Sequence, residues 1–357
     1  MDGSTAISRT VNIFMVYSPL HCLCADQVVR QFCQGERNLL FYLKQGYADF
    51  VDHSLWEAVQ YLPWPRFNPS PGFMGRHRRT LSNLHHVADL CRGAQTIRLH
   101  ATVIDTEAVN YHINFLRRRF PEAQFSVRLF PDGVLNLRRH PLGRFKEYLQ
   151  HLRLGRMLLS PALRYHCLKG DRTGSDDPLV DRIYLLPGLP HGYDPAKVVV
   201  LPPFQMADRL QTEPGSERTA LVVGQPLVVY RRMTAEDMRA VSVGIQRYLV
   251  SQGITRIIYK PHPRDRQHEY GLAEYELLQV DKPLEQHFAE TPYSVVIGVC
   301  STALLTARMI MPPECRIVAY GLDRFIFRGE KDRSSLLGAF EALGIEMVAH
   351  NCCEDKG

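Results

Sequence analysis

Three stretches carry side chains suited to phosphate or proton chemistry at what reads as the end of a strand. The β-branched, apolar run Thr255-Arg256-Ile257-Ile258-Tyr259 leads into Lys260-Pro261-His262-Pro263. Prolines restrict the residues beside them, so the imidazole is expected on a rigid turn at the carboxyl edge of a sheet. Tyr293-Ser294-Val295-Val296-Ile297-Gly298-Val299-Cys300 runs into Ser301-Thr302-Ala303-Leu304-Leu305, a strand opening directly into a helix with two hydroxyls at its start. The free N–H groups and positive dipole end of such a helix favour a phosphate. The third stretch is Pro131-Asp132-Gly133, directly after the alternating run Phe125 to Phe130. A carboxylate in a tight turn at a strand end is placed to act as a general base, although the same tripeptide also makes an ordinary turn.

Other positions have two readings each. Lys260 adds positive charge to the proposed phosphate site or is a solvated strand-end lysine. Ser301 and Thr302 bind a phosphate or serve only as helix caps. Gly224 and Gln225, after the run Ala220 to Val223, let a backbone approach a nucleotide or end a strand. Glu285 starts another helix and holds ribose hydroxyls or complements a dipole. Ser18 and His21 follow the first strand as candidate cleft residues. The pair His85-His86 lacks partner ligands at metal spacing, and no Asp-x-Asp occurs, so no metal or other cofactor is expected.

The elements needed to hold these groups alternate along the chain. Strands are expected at Val11 to Tyr17, Leu39 to Leu43, Ala101 to Ile104 and Phe125 to Phe130, with helices at Ala25 to Phe32, Arg79 to Cys91 and Glu107 to Phe120. Glycine and proline cluster between about Lys169 and Arg218, where the pattern breaks. A second series follows: Ala220 to Val223, a helix from Ala235 to Gln252 capped by Thr234, and the strand to His262. It continues with Tyr275 to Val280, a helix from Pro283 to Glu290, the strand to Cys300 with its helix to Met311, and Arg316 to Tyr320. Alternation of this kind predicts an α/β fold of two Rossmann-like domains with mostly parallel sheets facing a central cleft. The expected boundaries are residues 1–195 for the acceptor-side domain with the base, 196–218 for a linker and 219–357 for the nucleotide domain.

A chain of 357 residues with 45% hydrophobic content can bury two cores. Residues 1–10 lack an apolar signal core and no stretch has eighteen unbroken apolar residues, so a cytoplasmic, non-spanning protein is expected. Nine cysteines without a Cys-x-x-Cys read as reduced, packed side chains. The net charge of +6 is concentrated: Leu137 to Lys169 holds eight basic residues and one acid, Glu147. Leu142, Phe145, Leu149, Leu152, Leu158 and Leu159 interleave with them, giving a basic amphipathic segment interrupted near Pro161. It reads as an ordinary solvated face, as a grip on an acidic acceptor, or as contact with an anionic membrane surface, peripheral at the inner membrane. No aromatic-interleaved nucleic-acid motif accompanies it, so nucleic acid is not an expected partner.

The order strand–Asp-Gly, strand–Lys-Pro-His-Pro, strand–Ser-Thr-helix resembles bacterial sialyltransferases and polysialyltransferases of the GT-B type. Those families carry an acidic Asp/Glu-Asp/Glu-Gly motif, a His-Pro motif and a Ser-Ser or Ser-Thr motif. Tyr17-Ser18-Pro19-Leu20-His21-Cys22-Leu23-Cys24-Ala25 looks like their first-strand exit, and Gly224-Gln225-Pro226-Leu227 is similar to the start of their nucleotide domain. The resemblance touches five places between residues 17 and 302. It implies an inverting, metal-independent transferase that moves sialic acid or a related ulosonic acid from a CMP-activated donor to a hydroxyl of a bacterial surface glycan or glycolipid, in capsule or lipopolysaccharide assembly. Asp132 would then deprotonate the acceptor, and His262 would contact or protonate the departing phosphate. Gly224, Gln225, Lys260, Pro263, Glu285, Ser301 and Thr302 would line the donor site. The chain departs from the pattern at Pro131, in the first acidic position, and at Thr302, the second hydroxyl, which leaves the sugar open. A CDP-polyol phosphotransferase of the teichoic-acid type pairs the same motifs on a similar scaffold and is the alternative enzyme. A non-catalytic basic protein binding membrane or nucleic acid is the alternative from another class.

Overall fold

The computed structural model describes residues 9–48, 51–132, 139–189, 191–202, 218–262, 264–265, 268–279 and 284–350. They fall into two units, Met1–Leu186 with His191–Pro202, and Pro187–Pro190 with Pro203–Gly357.

The first unit holds strands β1 (Thr10–Val16), β2 (Arg37–Tyr42), β3 (Ala58–Tyr61), β4 (Thr96–Ala101), β5 (Gln124–Leu129), β6 (Val180–Leu185) and β7 (Val198–Val200). Their order across the sheet is β3-β2-β1-β4-β5-β6-β7, and every pairing is parallel. Helices α1 (Pro19–Phe32), α2 (Gly75–Leu90), α3 (Glu107–Arg119) and α4 (Arg144–Leu154) supply the crossovers and flanking layers. In β1 all but the first residue are buried, as a central parallel strand covered on both faces requires. Val11, Ile13 and Met15 pack into one core with Leu84 and Val87 of α2 and Val109, Ile113 and Leu116 of α3.

The second unit repeats the plan. Its strands β8 (Thr219–Val223), β9 (Arg256–Lys260), β10 (Glu276–Leu277), β11 (Val295–Gly298), β12 (Arg316–Tyr320) and β13 (Glu346–Val348) lie in the order β10-β9-β8-β11-β12-β13. All of these pairings are parallel too. The helices are α5 (Ala235–Ser251), α6 (Leu284–Glu290), α7 (Thr302–Ile310) and α8 (Glu330–Ala342). Helix α5 begins where the sequence places its cap: Thr234 Oγ1 accepts from the Asp237 N–H at 3.0 Å. Both sheets thus have Rossmann-type order, with the reversal of strand order between β1 and β4 in one and between β8 and β11 in the other. Open sheets of this kind bind ligands outside the carboxyl ends of the strands at that reversal.

Several strands depart from the sequence pattern. The strand expected at Ala101 to Ile104 is Thr96–Ala101 instead, because it carries polar side chains that find partners. Arg98 donates to Glu36 at 2.7 Å, and the His100 ring stacks on Phe14 with centroids 4.0 Å apart. Strand β6 lies inside the region read as a pattern break. Its Asp181 accepts from Arg128 of the neighbouring β5 at 3.1 Å, so a charge in the run is no obstacle to pairing. Strand β7 pairs with β6, which puts residues 198–200 in the first sheet although the expected linker begins at 196. Among the described residues of the run Tyr275 to Val280, the strand is the two-residue β10.

Candidate active site

At the first reversal point, the chain leaves β1 through Tyr17 and enters α1. Ser18 caps that helix, its Oγ accepting from the His21 N–H at 3.3 Å. His21, a candidate cleft residue, sits in the first helical turn with no exposed surface. Proline at the start of the helix and serine before it fix this turn, so the ring projects inward beneath the ends of the strands. Its Nε2 lies 2.7 Å from Asp132 Oδ1, just past the end of β5. The Tyr17 backbone N–H points at Nδ1 at 3.4 Å, so the neutral ring carries its proton on Nε2 and donates it to Asp132.

Tyr17 and Thr102 complete this cluster, and neither stood out in the sequence as chemistry. Tyr17 Oη is 3.4 Å from Asp132 Oδ2 and 2.5 Å from Thr102 Oγ1, which follows β4. Burial, and secondly the charge of Asp132, raises the Tyr17 pKa far above the ordinary phenol value, so the hydroxyl stays protonated. Tyr17 and Phe130 meet the His21 ring edge-on, with centroids at 4.4 and 5.6 Å. Asp132 is partly exposed, at 28% of its side chain, as is Tyr17, whereas His21 and Thr102 are buried. The arrangement is a carboxylate at the surface, oriented from below by a buried imidazole. Gly133 lies outside the described residues.

At the second reversal point, three loops are stitched together by backbone and side-chain hydrogen bonds. The Gly224 N–H donates to the Lys260 carbonyl at 2.9 Å, joining the ends of β8 and β9. The Gln225 carboxamide Oε1 accepts from the Cys300 N–H at 3.0 Å and from the Tyr270 hydroxyl at 3.4 Å. Gln225 therefore ties the β8 exit to the β11 exit, one residue before the helix cap Ser301. Ser301 is buried, with its Oγ accepting from the Ala303 N–H at 3.2 Å, whereas Thr302 is exposed. Gly224, Gln225, Lys260, His262, Ser301 and Thr302 thus share one edge of one sheet.

His262 is partly exposed on the turn after β9. Its Nδ1 accepts from the Arg264 N–H at 3.1 Å, which leaves Nε2 as the proton-bearing nitrogen of the neutral ring. Burial, then the Arg264 charge, lowers its pKa below the usual imidazole value, with Asp265 opposing. The ring is therefore neutral at pH 7 and offers a hydrogen-bond donor rather than a fixed cation. Lys260 is half-buried, Glu285 sits in the first turn of α6, and Pro263 lies outside the described residues.

Gly224 has a packing reason to be glycine that its sequence does not reveal. A Cβ there would lie 2.4 Å from Tyr259 Oη and 2.8 Å from Cζ. Tyr259 in turn donates to Asp265 Oδ2 at 3.0 Å, and the same oxygen accepts from the Glu269 N–H at 3.0 Å. Glu269 then accepts from the N–H groups of Val228 and Val229, at 2.9 and 3.2 Å. Tyr259, Asp265 and Glu269 therefore fix the loop after Gln225 and the turn carrying His262 as one body. Among the described residues no three His, Cys, Asp or Glu side chains cluster as a metal site would need. His86 bonds to Gln60 at 2.6 Å, and His85 packs edge-on against Phe115.

No curated protein matches the sequence. Among solved structures, the UDP-GlcNAc 2-epimerase from Methanocaldococcus jannaschii is similar at 8% identity and a TM-score of 0.49, covering 94% of this chain and 92% of that one. A calicheamicin glycosyltransferase is similar at 12% identity and a TM-score of 0.46, over 96% of this chain and 85% of that one. The glycotransferase of kitacinnamycin is similar at 10% identity and a TM-score of 0.45, over 96% and 86%. At these values the likenesses add nothing to the sheet orders described above. The model of the alpha-2,8-polysialyltransferase family matches residues 203–314, a stretch that takes in Gly224, Gln225, Lys260, His262, Glu285, Ser301 and Thr302 and leaves His21 and Asp132 outside, and it supports the sialyltransferase-like resemblance of these motifs.

Proposed function

We propose that this chain is an inverting, metal-independent glycosyltransferase that moves sialic acid, or a related ulosonic acid, from a CMP donor to a hydroxyl of a bacterial surface glycan. The observation that carries this reading is the family match over residues 203–314, which coincides with the reversal point where His262 and the capped start of α7 share one sheet edge. The single phosphate of a CMP-sugar suits that edge. The Nε2–H of a neutral His262, the Lys260 ammonium and the first N–H groups of α7 are donors for the charge that grows on the leaving oxygen.

The first unit supplies the other half of the chemistry. The acceptor oxygen attacks the anomeric carbon, its proton passes to Asp132, and the bond from that carbon to the phosphate oxygen breaks with its electron pair, releasing CMP. One displacement inverts the anomeric centre. His21 and Tyr17 hold the Asp132 carboxylate by one oxygen each, so the base is oriented before the acceptor arrives. Gln225, Gly224 and Glu285 line the nucleotide side in this reading, and Ser301 positions the start of α7 rather than a free hydroxyl.

The test is release of CMP from CMP-sialic acid in the presence of a galactoside, together with thermal stabilisation by CMP, CDP, UDP and GDP in parallel. CMP release that needs the acceptor, with stabilisation strongest for CMP, is the expected result. Stabilisation by UDP alone overturns the donor assignment. Transfer of a polyol phosphate from a CDP donor with no reaction of CMP-sialic acid replaces the function by phosphoryl transfer.

A further inference from the structure

Helix α4 is built inside out. Its inward positions are Lys146, Leu149, Gln150 and Arg153, spaced three and four apart, and they are half-buried or buried. Gln150 accepts from the Leu168 N–H at 2.6 Å, and Arg153 reaches Asp105 at 3.1 Å and the Tyr165 hydroxyl at 2.9 Å. Just after the helix, Arg156 donates to Glu107 at 2.6 Å and to the Tyr111 hydroxyl at 3.1 Å. Two of the arginines that make this segment basic are therefore fasteners to the domain and do not face outward. The outward ridge is apolar instead: Phe145 is 73% exposed, Tyr148 60%, Leu152 56% and Leu158 89%.

A second apolar tip is fastened to the same carboxylate. Glu107 also pairs with Arg76 in the first turn of α2, immediately after Phe73, which is 88% exposed, and Met74. Side chains that protrude so far lie outside any packing within this unit. Around the ridge cations outnumber the one acid, Glu147. Arg144 and Lys146 occupy the first turn of α4, the end at which the helix dipole disfavours cations, so helix stability does not account for them. Lys169 stands beside that end, because the Leu142 N–H donates to the Gly170 carbonyl at 2.6 Å. Among the described residues no ion pair joins Arg144, Lys146 or Lys169 to a carboxylate, and Glu147 is the single acid of the helix.

We infer that α4 and the turn after it dock on the surface of an anionic lipid bilayer, with Phe145, Leu152 and Leu158 entering the acyl boundary while Arg144 and Lys169 meet the headgroups. An apolar ridge flanked by unpaired cations supplies the two signals that reversible interfacial binding takes. The same charge disfavours a second copy of this chain on the ridge, since like faces would meet. Among the described residues no helix is long and apolar enough to cross a membrane, so the contact is with one interface. This inference stands apart from the proposed chemistry, and its readout needs no turnover.

The experiment is sedimentation of the full chain with vesicles of phosphatidylcholine containing about 30% phosphatidylglycerol, beside vesicles of phosphatidylcholine alone. The wild type is expected to bind the anionic vesicles and to release at high salt. The triple variant Phe145→Ser, Leu152→Ser, Leu158→Ser should bind at least ~10-fold more weakly. Arg144→Glu with Lys169→Glu should lose the preference for anionic lipid. Both variants alter exposed positions and should melt within about 2 °C of the wild type. Arg153→Glu and Arg156→Glu should instead lower the melting temperature. Unchanged vesicle binding by the serine variant overturns the inference. So does a wild type that is dimeric by light scattering and becomes monomeric in that variant while neither binds vesicles.

Discussion

His21 and Asp132 stand 111 residues apart in sequence, yet Nε2 and Oδ1 meet at 2.7 Å with the imidazole fully buried and the carboxylate partly exposed. Parallel pairing creates the contact: β1, β4 and β5 are neighbours, so the residues after their carboxyl ends converge. The exposed partner is the one that solvent reaches, so in the proposed mechanism Asp132 takes the proton and His21 orients it. Asp132→Asn should lower turnover by about 10²- to 10⁴-fold with the affinity for CMP retained. His21→Ala should lower turnover less, and should also destabilise the fold by about 1–3 kcal/mol through the loss of a buried hydrogen bond. His21→Gln, which restores a donor to Asp132, should recover part of the turnover, whereas a purely structural role would restore stability alone. Wild-type rates in Asp132→Asn would remove it from the mechanism.

His262 gives a pH dependence whose sign follows from its surroundings. Burial and Arg264 depress its pKa, so it is neutral at pH 7 and gains its charge only below the ordinary imidazole range. An anionic phosphodiester should therefore bind more tightly as the pH falls below about 6.5. Cytidine 5′-(methyl phosphate) suits the measurement, because its single charge does not titrate there. Calorimetry should show the dissociation constant falling for the wild type and staying flat for His262→Asn. An equal slope in both proteins would place the titrating group elsewhere.

Asp26 predicts a separate stability effect. It is buried in α1, with Oδ1 accepting from Trp56 Nε1 at 2.8 Å and Oδ2 from the Asp52 N–H at 2.7 Å. Burial outweighs these bonds and pushes its pKa up to about 6. The folded chain therefore binds this proton more tightly than the unfolded chain does, and the contribution is fully present below about pH 4. Stability from this group should fall as the pH rises from about 4 to about 6, by an amount on the order of 2–3 kcal/mol. The difference in unfolding free energy between wild type and Asp26→Asn, measured across that window, should carry this slope. A difference independent of pH would refute the assignment.

The two sheet edges that carry the candidate residues were legible because their strands are apolar runs that stop at proline, glycine or a hydroxyl. Lys260-Pro261-His262 and Cys300-Ser301 announce their own turns in this way. The partners were not legible. Nothing local to His21 points to Asp132, since a contact across a parallel sheet depends on strand order and not on sequence spacing. Tyr259, Asp265 and Glu269 were hidden for a similar reason: the tyrosine reads as an apolar strand position, and its hydroxyl acquires a role only when the next turn folds over it. Strands β4 and β6 were obscured by Arg98, His100 and Asp181, whose partners lie in other elements. In α4 the composition was read correctly as basic and amphipathic, but the periodicity cannot say which face turns inward. Carboxylates at Asp105 and Glu107 decide that, and they pull the arginines in.

Gly224 tests whether the loops at this edge of the second sheet form one body. The absent side chain lets Tyr259 lie against the backbone, and Tyr259 anchors the Asp265–Glu269 chain that holds the loop at Val228 and Val229. Gly224→Ala places a methyl group where the nearest atom is Tyr259 Oη at 2.4 Å, so the ring must shift and its bond to Asp265 must stretch. Overpacking of this kind costs about 1–3 kcal/mol. Tyr259→Phe deletes that nearest atom, so the alanine penalty measured in the phenylalanine background should be smaller, with a coupling of about 0.5–3 kcal/mol in the double-mutant cycle. Amide exchange at Val228 and Val229 should rise in Gly224→Ala and in Glu269→Ala alike, because both loosen the same acceptor. Additive penalties would mean that Gly224 is needed for the approach of a ligand and not for the packing of Tyr259. Coupled penalties would mean that the ring placed by this glycine also sets the loop at Val228 and Val229.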